Sequence, residues 1–187
     1  MTEITAQDIL TFWFEEATPQ QWFSKDDGFD ARIKERYADL LDALSREIDE
    51  KGQIRWEDEP LGALAGVLVL DQFPRNIHRG TAKAFAYDEK ARGISQRLID
   101  RSGDEGLTSK QRQFLYLPFM HVEDLAAQEF CVTCFETRLE DQSDLSFAID
   151  HRDIIKRFGR FPHRNAILGR QSTEEELQFL ADGGFAG

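Results

Sequence analysis

Apolar residues along this chain recur almost everywhere at three- and four-residue steps, which predicts helices and leaves no convincing strand. Ile9, Leu10, Trp13 and Phe14 form one side of a first helix near residues 5–15. A break at Pro19 and the pair Trp22-Phe23 follow. Phe29, Ile33, Tyr37, Leu40, Leu41, Leu44 and Ile48 mark a long helix over 27–51 that Gly52 ends. Pro60 opens a third helix that is apolar nearly all round through Leu64, Val67, Leu68 and Leu70 to Phe73. Such a helix belongs at the centre of the molecule. Pro74 is expected to stop it, with residues 74–81 as a loop.

Further helices are expected over 82–102, with a break near Asp88, and from Thr108 to Leu117, where Pro118 breaks or kinks the chain. Others are expected over 121–140 and over 144–159, the last ending at Gly159. Ser172-Thr173 with Glu175-Glu176 three residues later reads as a capping box for a final helix that fades into Gly183-Gly184. The expected fold class is all-α, a single domain over residues 1–187 without a sheet. Roughly eight helices with short connections favour stacked antiparallel hairpins. No repeat of about 34 residues is visible.

Composition narrows the function. The 41% apolar fraction and 15 Phe supply a substantial core, and the formal net charge of −12 disfavours nucleic acid. No apolar run approaches the roughly 20 residues of a membrane-spanning helix. The N-terminal Met-Thr-Glu-Ile-Thr-Ala-Gln-Asp has neither the basic nor the apolar region of a signal peptide, so a cytoplasmic protein is expected. Cys131 and Cys134 form a lone C-x-x-C in mid-helix, read as reduced structural cysteines.

Candidate chemistry lies in a polar motif that occurs twice. Residues 71–80 read Asp-Gln-Phe-Pro-Arg-Asn-Ile-His-Arg-Gly, and residues 158–170 read Phe-Gly-Arg-Phe-Pro-His-Arg-Asn-Ala-Ile-Leu-Gly-Arg. Each sets Phe-Pro before Arg and Asn, with His and Gly close by. Phe seeks burial and Arg then needs an acceptor, so the two loops are expected to meet in one polar site. Asp71 and Asp124 are the expected acceptors, with guanidinium capacity left over. Between residues 151 and 170, Arg152, Lys156, Arg157, Arg160, Arg164 and Arg170 face a single acid, Asp153, a patch suited to a small anion or an acidic peptide.

All four histidines stand beside other polar candidates. His121, Asp124 and Gln128 would share a face if they lie on one helix. His151 falls on an apolar stripe and should face inward, with Asp71, Glu123 or Asp124 as partner. The candidate ligand-binding set is Asp71, Arg75, Asn76, His78, His121, Glu123, Asp124, His151, His163, Arg164 and Asn165. No H-e-x-x-h spacing or comparable ligand pattern occurs, so no metal and no cofactor are expected. Catalytic residues stay undefined, and oligomeric state is not legible.

The strings LDQFPRNIHRGTAKAFAYD, LPFMHVEDLAAQE and HRDIIKRFGRFPHRNAILGR, with ILTFWF and WFSKDDGFDARIKERY before them, resemble the signature blocks of an uncharacterised bacterial family, the domain of unknown function DUF nine-two-four. The resemblance implies a tetratricopeptide-like, right-handed arrangement of helix pairs and carries no activity with it. Three functions remain: a binding protein with an Arg- and His-lined pocket for an anionic small molecule or acidic peptide, a helical hydrolase or lyase with a His general base, and a scaffold whose polar motifs only lock the fold.

Overall fold

The structure, a computed structural model, describes residues 3–185 and is all-α, with no strand among the described residues. Helix α1 (Ala6–Thr11) begins with a reciprocal cap: Asp8 N–H donates to Thr5 Oγ1 at 3.2 Å, and Thr5 N–H donates to Asp8 Oδ2 at 2.8 Å. It runs into a wide π-turn, Phe12–Glu16, which buries Phe12 and Trp13 completely. The short α2 (Pro19–Phe23) follows. Helix α3 (Asp27–Lys51), capped by Asp26 and ended by Gly52 at φ 78°, buries the predicted stripe from Phe29 to Leu44.

The central rod corrects one expectation. Helix α4 (Pro60–Val67), a π-turn (Leu68–Gln72) and α5 (Phe73–Ile77) are continuous, so Pro74 does not stop the helix. The Phe73 N–H reaches back five residues to the Leu68 carbonyl. This widened turn restarts the helix just before Pro74, which thereby stands in a first turn, where a missing N–H costs nothing. Every residue from Gly62 to Pro74 is buried. Gly62 permits this depth, since a Cβ there would lie 2.1 Å from the Trp56 carbonyl oxygen.

Residues 82–102 split into a 3₁₀ turn (Ala82–Phe85) and α6 (Asp88–Asp100). Helix α7 (Ser109–His121) runs through Pro118 instead of breaking there. Leu117, Phe119 and Met120 are all buried, and their burial outweighs the roughly 3 kcal/mol that an internal proline costs. Helix α8 (Leu125–Arg138) starts later than expected, with Asp124 as its cap. Helix α9 (Leu145–Phe158) ends at Gly159, φ 70°, before a 3₁₀ turn (Pro162–Arg164). Helix α10 (Glu174–Ala181) carries the Thr173–Glu176 capping box.

Helices α6, α7, α8 and α9 pack in sequence, each on the next, while α4 lies against α1, α6 and α7, and α3 against α5. One large core results, and a smaller cluster of Ile154, Ile155 and Phe161 with Phe158, Phe179 and Phe185 closes the C-terminal end. Cys131 and Cys134 are buried free thiols.

Candidate functional site

The twin motifs meet on Asp88. Arg75, in α5, places Nη1 3.0 Å from Asp88 Oδ1 and Nη2 3.2 Å from Oδ2. Arg164, from the second motif, reaches the same Oδ2 with Nη1 at 3.3 Å. The Phe85 ring stands beside both guanidinium groups, 4.3 Å from Arg164 and 5.9 Å from Arg75, and Phe161 flanks Arg164 at 4.5 Å. Each Arg has the buried acceptor that the sequence argument required, but Asp88 supplies it for both. Asp71 adds a second acceptor for Arg75, whose Nη1 donates to the Asp71 carbonyl oxygen at 2.5 Å. Asp124 accepts from no arginine; it is exposed and caps α8 through the Ala127 N–H at 2.8 Å.

Asp71 is fully buried in the π-turn of the central rod. Its Oδ1 lies 2.8 Å from His121 Nδ1, and its Oδ2 accepts from Gln72 Nε2 at 2.6 Å. Burial would raise its carboxyl, but its pairing with His121, the charge of Arg75 and the hydrogen bond from Gln72 outweigh that and hold it below the usual carboxylate range. A carboxylate only accepts, so His121 carries its proton on Nδ1 and presents an unprotonated Nε2. Burial, then the charge of Arg75, lowers the His121 pKa against the pull of Asp71, keeping the ring neutral at neutral pH. His121 is the last residue of α7, so it shares no helix face with Asp124 and Gln128. Gln128 instead donates to the Met120 and Val122 carbonyls across the α7–α8 turn.

His151 faces inward from α9, but its Nδ1 lies on the Phe147 carbonyl, 2.7 Å away, and not on an acid. Burial takes its pKa down to about 4. His163 is half-buried near the rings of Phe161 and Phe185, its Nδ1 sealed without a partner among the described residues. Burial, then the Arg164 charge, takes its pKa to about 4 as well.

The remaining candidates tie elements together. Asn76 Nδ2 donates to Asp30 of α3 at 2.7 Å, and Arg79 grips the same carboxylate at 2.7 and 2.9 Å. His78 is half-buried beside them and lines neither of the two clefts described next. Glu123 accepts from the Phe161 N–H at 2.8 Å and from Arg170 at 2.6 and 2.9 Å. Asn165 donates to Ser172 and to Glu176, which also holds Arg160. The expected guanidinium surplus is thus largely taken up by acids from outside the motifs: Asp30, Asp88, Glu123 and Glu176. Among the described residues Arg164 keeps the most unused capacity, since Nη1 alone is bonded and Nε is sealed without a partner there.

Two clefts flank His121. The larger, of 450 Å³, is lined by aromatic and aliphatic side chains that include Trp22, Phe23, Leu117, Phe147 and Phe185, and by the polar Gln72, Arg75, Gln113, His121, Asp144 and His151. The smaller, of 310 Å³, is lined by Phe85, Asp88, Glu123 and Arg164 among others. Phe23 and Phe147 are 62% and 53% exposed at the mouth of the larger cleft, unusual positions for Phe. Among the described residues, Arg75 Nε and His121 Nε2 have no hydrogen-bond partner, and neither is sealed from solvent. Among the described residues, no group of three or more His, Cys, Asp or Glu is placed to hold a metal ion.

Sequence reasoning missed Asp88, Phe85 and Gln72, although all three lie inside the block LDQFPRNIHRGTAKAFAYD. The aromatic wall carried no signal, because Trp22, Phe147 and Phe185 come from distant segments that only the folded chain assembles.

Comparison with known proteins agrees with the geometry in giving a fold without a reaction. No curated protein matches the chain. A solved structure of a protein of unknown function from Agrobacterium tumefaciens is similar to it at 43% identity and a TM-score of 0.87, covering 95% of this chain and 97% of that one. Residues 9–184 match the family described as bacterial protein of unknown function, DUF924, and the chain belongs to that family.

Proposed function

We propose that this protein binds a small molecule with an apolar body and a carbonyl or carboxylate head in the larger cleft. The observation that carries the reading is the cleft's mixed lining: aromatic side chains open to solvent at Phe23 and Phe147, and Arg75, whose Nε–H has no acceptor among the described residues. A volume of 450 Å³ lies in the range of small-molecule sites, which favours a small molecule over an acidic peptide. The charge of Arg75 is already balanced by Asp88 and Asp71, so the head group gains a directed hydrogen bond more than a cationic field. A neutral carbonyl is therefore served as well as an anion. The spare N–H groups of Arg164 favour a second, anionic reading in the smaller cleft, where a carboxylate would compete with Asp88. Helices that pack in sequence from α6 to α9 suit the tetratricopeptide-like arrangement implied by the family, and such stacks often carry grooves. The free thiols of Cys131 and Cys134 fit a cytoplasmic protein.

The test is calorimetry and thermal shift with phenylalkanoic acids and their methyl esters. Phe23→Ala and Phe147→Ala remove exposed wall residues, so they should leave the melting temperature nearly unchanged and weaken binding by roughly tenfold or more, given what burying a Phe contributes. Equal binding by both variants, or no compound bound by the wild type, overturns the reading.

A further inference from the structure

We propose that the larger cleft hydrolyses small carboxylic esters, with His121 as general base and Arg75 as the hydrogen-bond donor to the carbonyl oxygen. The inference rests on the binding reading above and adds a reaction to it. Both groups line one cleft, and both are fixed by one buried carboxylate: Asp71 Oδ1 accepts from His121 Nδ1 at 2.8 Å and lies 3.6 Å from Arg75 Nη1. Gln72 holds the other Asp71 oxygen. The π-turn that carries Asp71 aims it across the core at the end of α7, and such turns recur where a helix supports a functional side chain.

The chemistry follows from the two open atoms. His121 Nε2 takes a proton from a water molecule, and the water oxygen attacks the ester carbonyl carbon. The carbonyl electron pair moves onto oxygen, where the Arg75 Nε–H donates to it. The intermediate collapses, the bond to the alkoxy oxygen breaks, and the imidazolium returns its proton from Nε2 to the leaving alkoxide. Acid and alcohol are released, and His121 is again neutral. Asp71 touches no reacting atom; it is a positioning residue that sets the tautomer and stabilises the imidazolium. The aromatic wall would hold the apolar part of the ester.

The probe is a series of p-nitrophenyl esters from acetate to octanoate. His121→Gln is expected to lower kcat by roughly 10²–10⁴, the range for a general base. Asp71→Asn should lower kcat with a smaller change in KM. Because either change touches the core, the wild-type pH profile gives an independent readout. Groups facing His121 are Asp71 and Arg75 from the central rod, Asp88 from α6 and His151 from α9, with Glu123 and Arg164 beside it in the smaller cleft. The acid limb should fall with a midpoint below 6.5, the ordinary histidine value. A folded His121→Gln protein as active as wild type overturns the proposal, as does an acid limb centred above neutrality. If the wild type binds the phenylalkanoate probes but cleaves no ester, hydrolysis fails and the binding reading stands; if it binds none, both fail.

Discussion

Arg164 and Asp88 stand 76 residues apart in the chain and meet at 3.3 Å, with less than a tenth of either side chain exposed. Asp88 also carries the two-pronged contact of Arg75, so one carboxylate joins the central rod, α6 and the turn after α9. Replacing Asp88 with Asn would leave the buried Arg164 without its acid and the half-buried Arg75 with Asp71 alone. Breaking a buried pair from one side costs about 3–5 kcal/mol, and that loss is expected in urea unfolding at neutral pH. A change below about 1 kcal/mol would show that the arginines find water or another acid instead.

The same place shows how far the sequence could be read. The meeting of the two motifs follows from their content, since Phe73 and Phe161 demand burial and carry Arg75 and Arg164 inward with them. The identity of the acceptor does not follow. Asp88 reads as a helix-start residue, and only the three-dimensional path of the 3₁₀ turn before it brings its carboxylate between the arginines. The two prolines escape local propensity in different ways. The π-turn before Pro74 restarts the helix so that this proline sits in a first turn, whereas α7 runs through Pro118 because the residues around it are buried, a tertiary term that propensity does not contain. The His121–Asp71 contact was out of reach for a related reason, because α7 had to run through Pro118 before His121 could end it.

The centre of the rod sets the stability scale. Leu68 is fully buried at the start of the π-turn. Leu68→Ala should cost about 2–5 kcal/mol, the transfer of the lost methyl groups plus the cavity left behind. A urea midpoint shift worth under about 1 kcal/mol would place the core elsewhere, or show a rod that collapses easily onto the vacancy.

Cys131 and Cys134 should behave as inert core residues. Burial raises the Cys131 thiol well above its ordinary range and lifts Cys134 to about 11, so the reactive thiolate is scarce at neutral pH. Modification by a thiol reagent should be slow in buffer and fast in denaturant, with both thiols counted only after unfolding. Rapid labelling of the native protein would contradict this burial.

Stability should fall with acidification before the carboxylates titrate. His151 and His163 have pKa values of about 4 in the folded protein, against 6.5 when unperturbed. Between those values the unfolded chain binds protons that the folded chain refuses, so stability rises with pH across the window and is lost as pH drops through it. Each histidine contributes at most about 1.4 kcal/mol per pH unit. The window to measure is pH 6.5 to 5, where the unfolded carboxylates remain ionised. The His163→Phe variant separates the two, because it keeps an aromatic ring between Phe161 and Phe185 while removing the sealed Nδ1 that has no partner. Its melting temperature should match or exceed wild type at pH 7, since an unsatisfied buried nitrogen costs about 1–3 kcal/mol. Its slope against pH should also be shallower. A variant that melts lower than wild type at both pH 7 and pH 5, with an unchanged slope, would mean that His163 is solvated in the folded protein and titrates as it does in the unfolded chain.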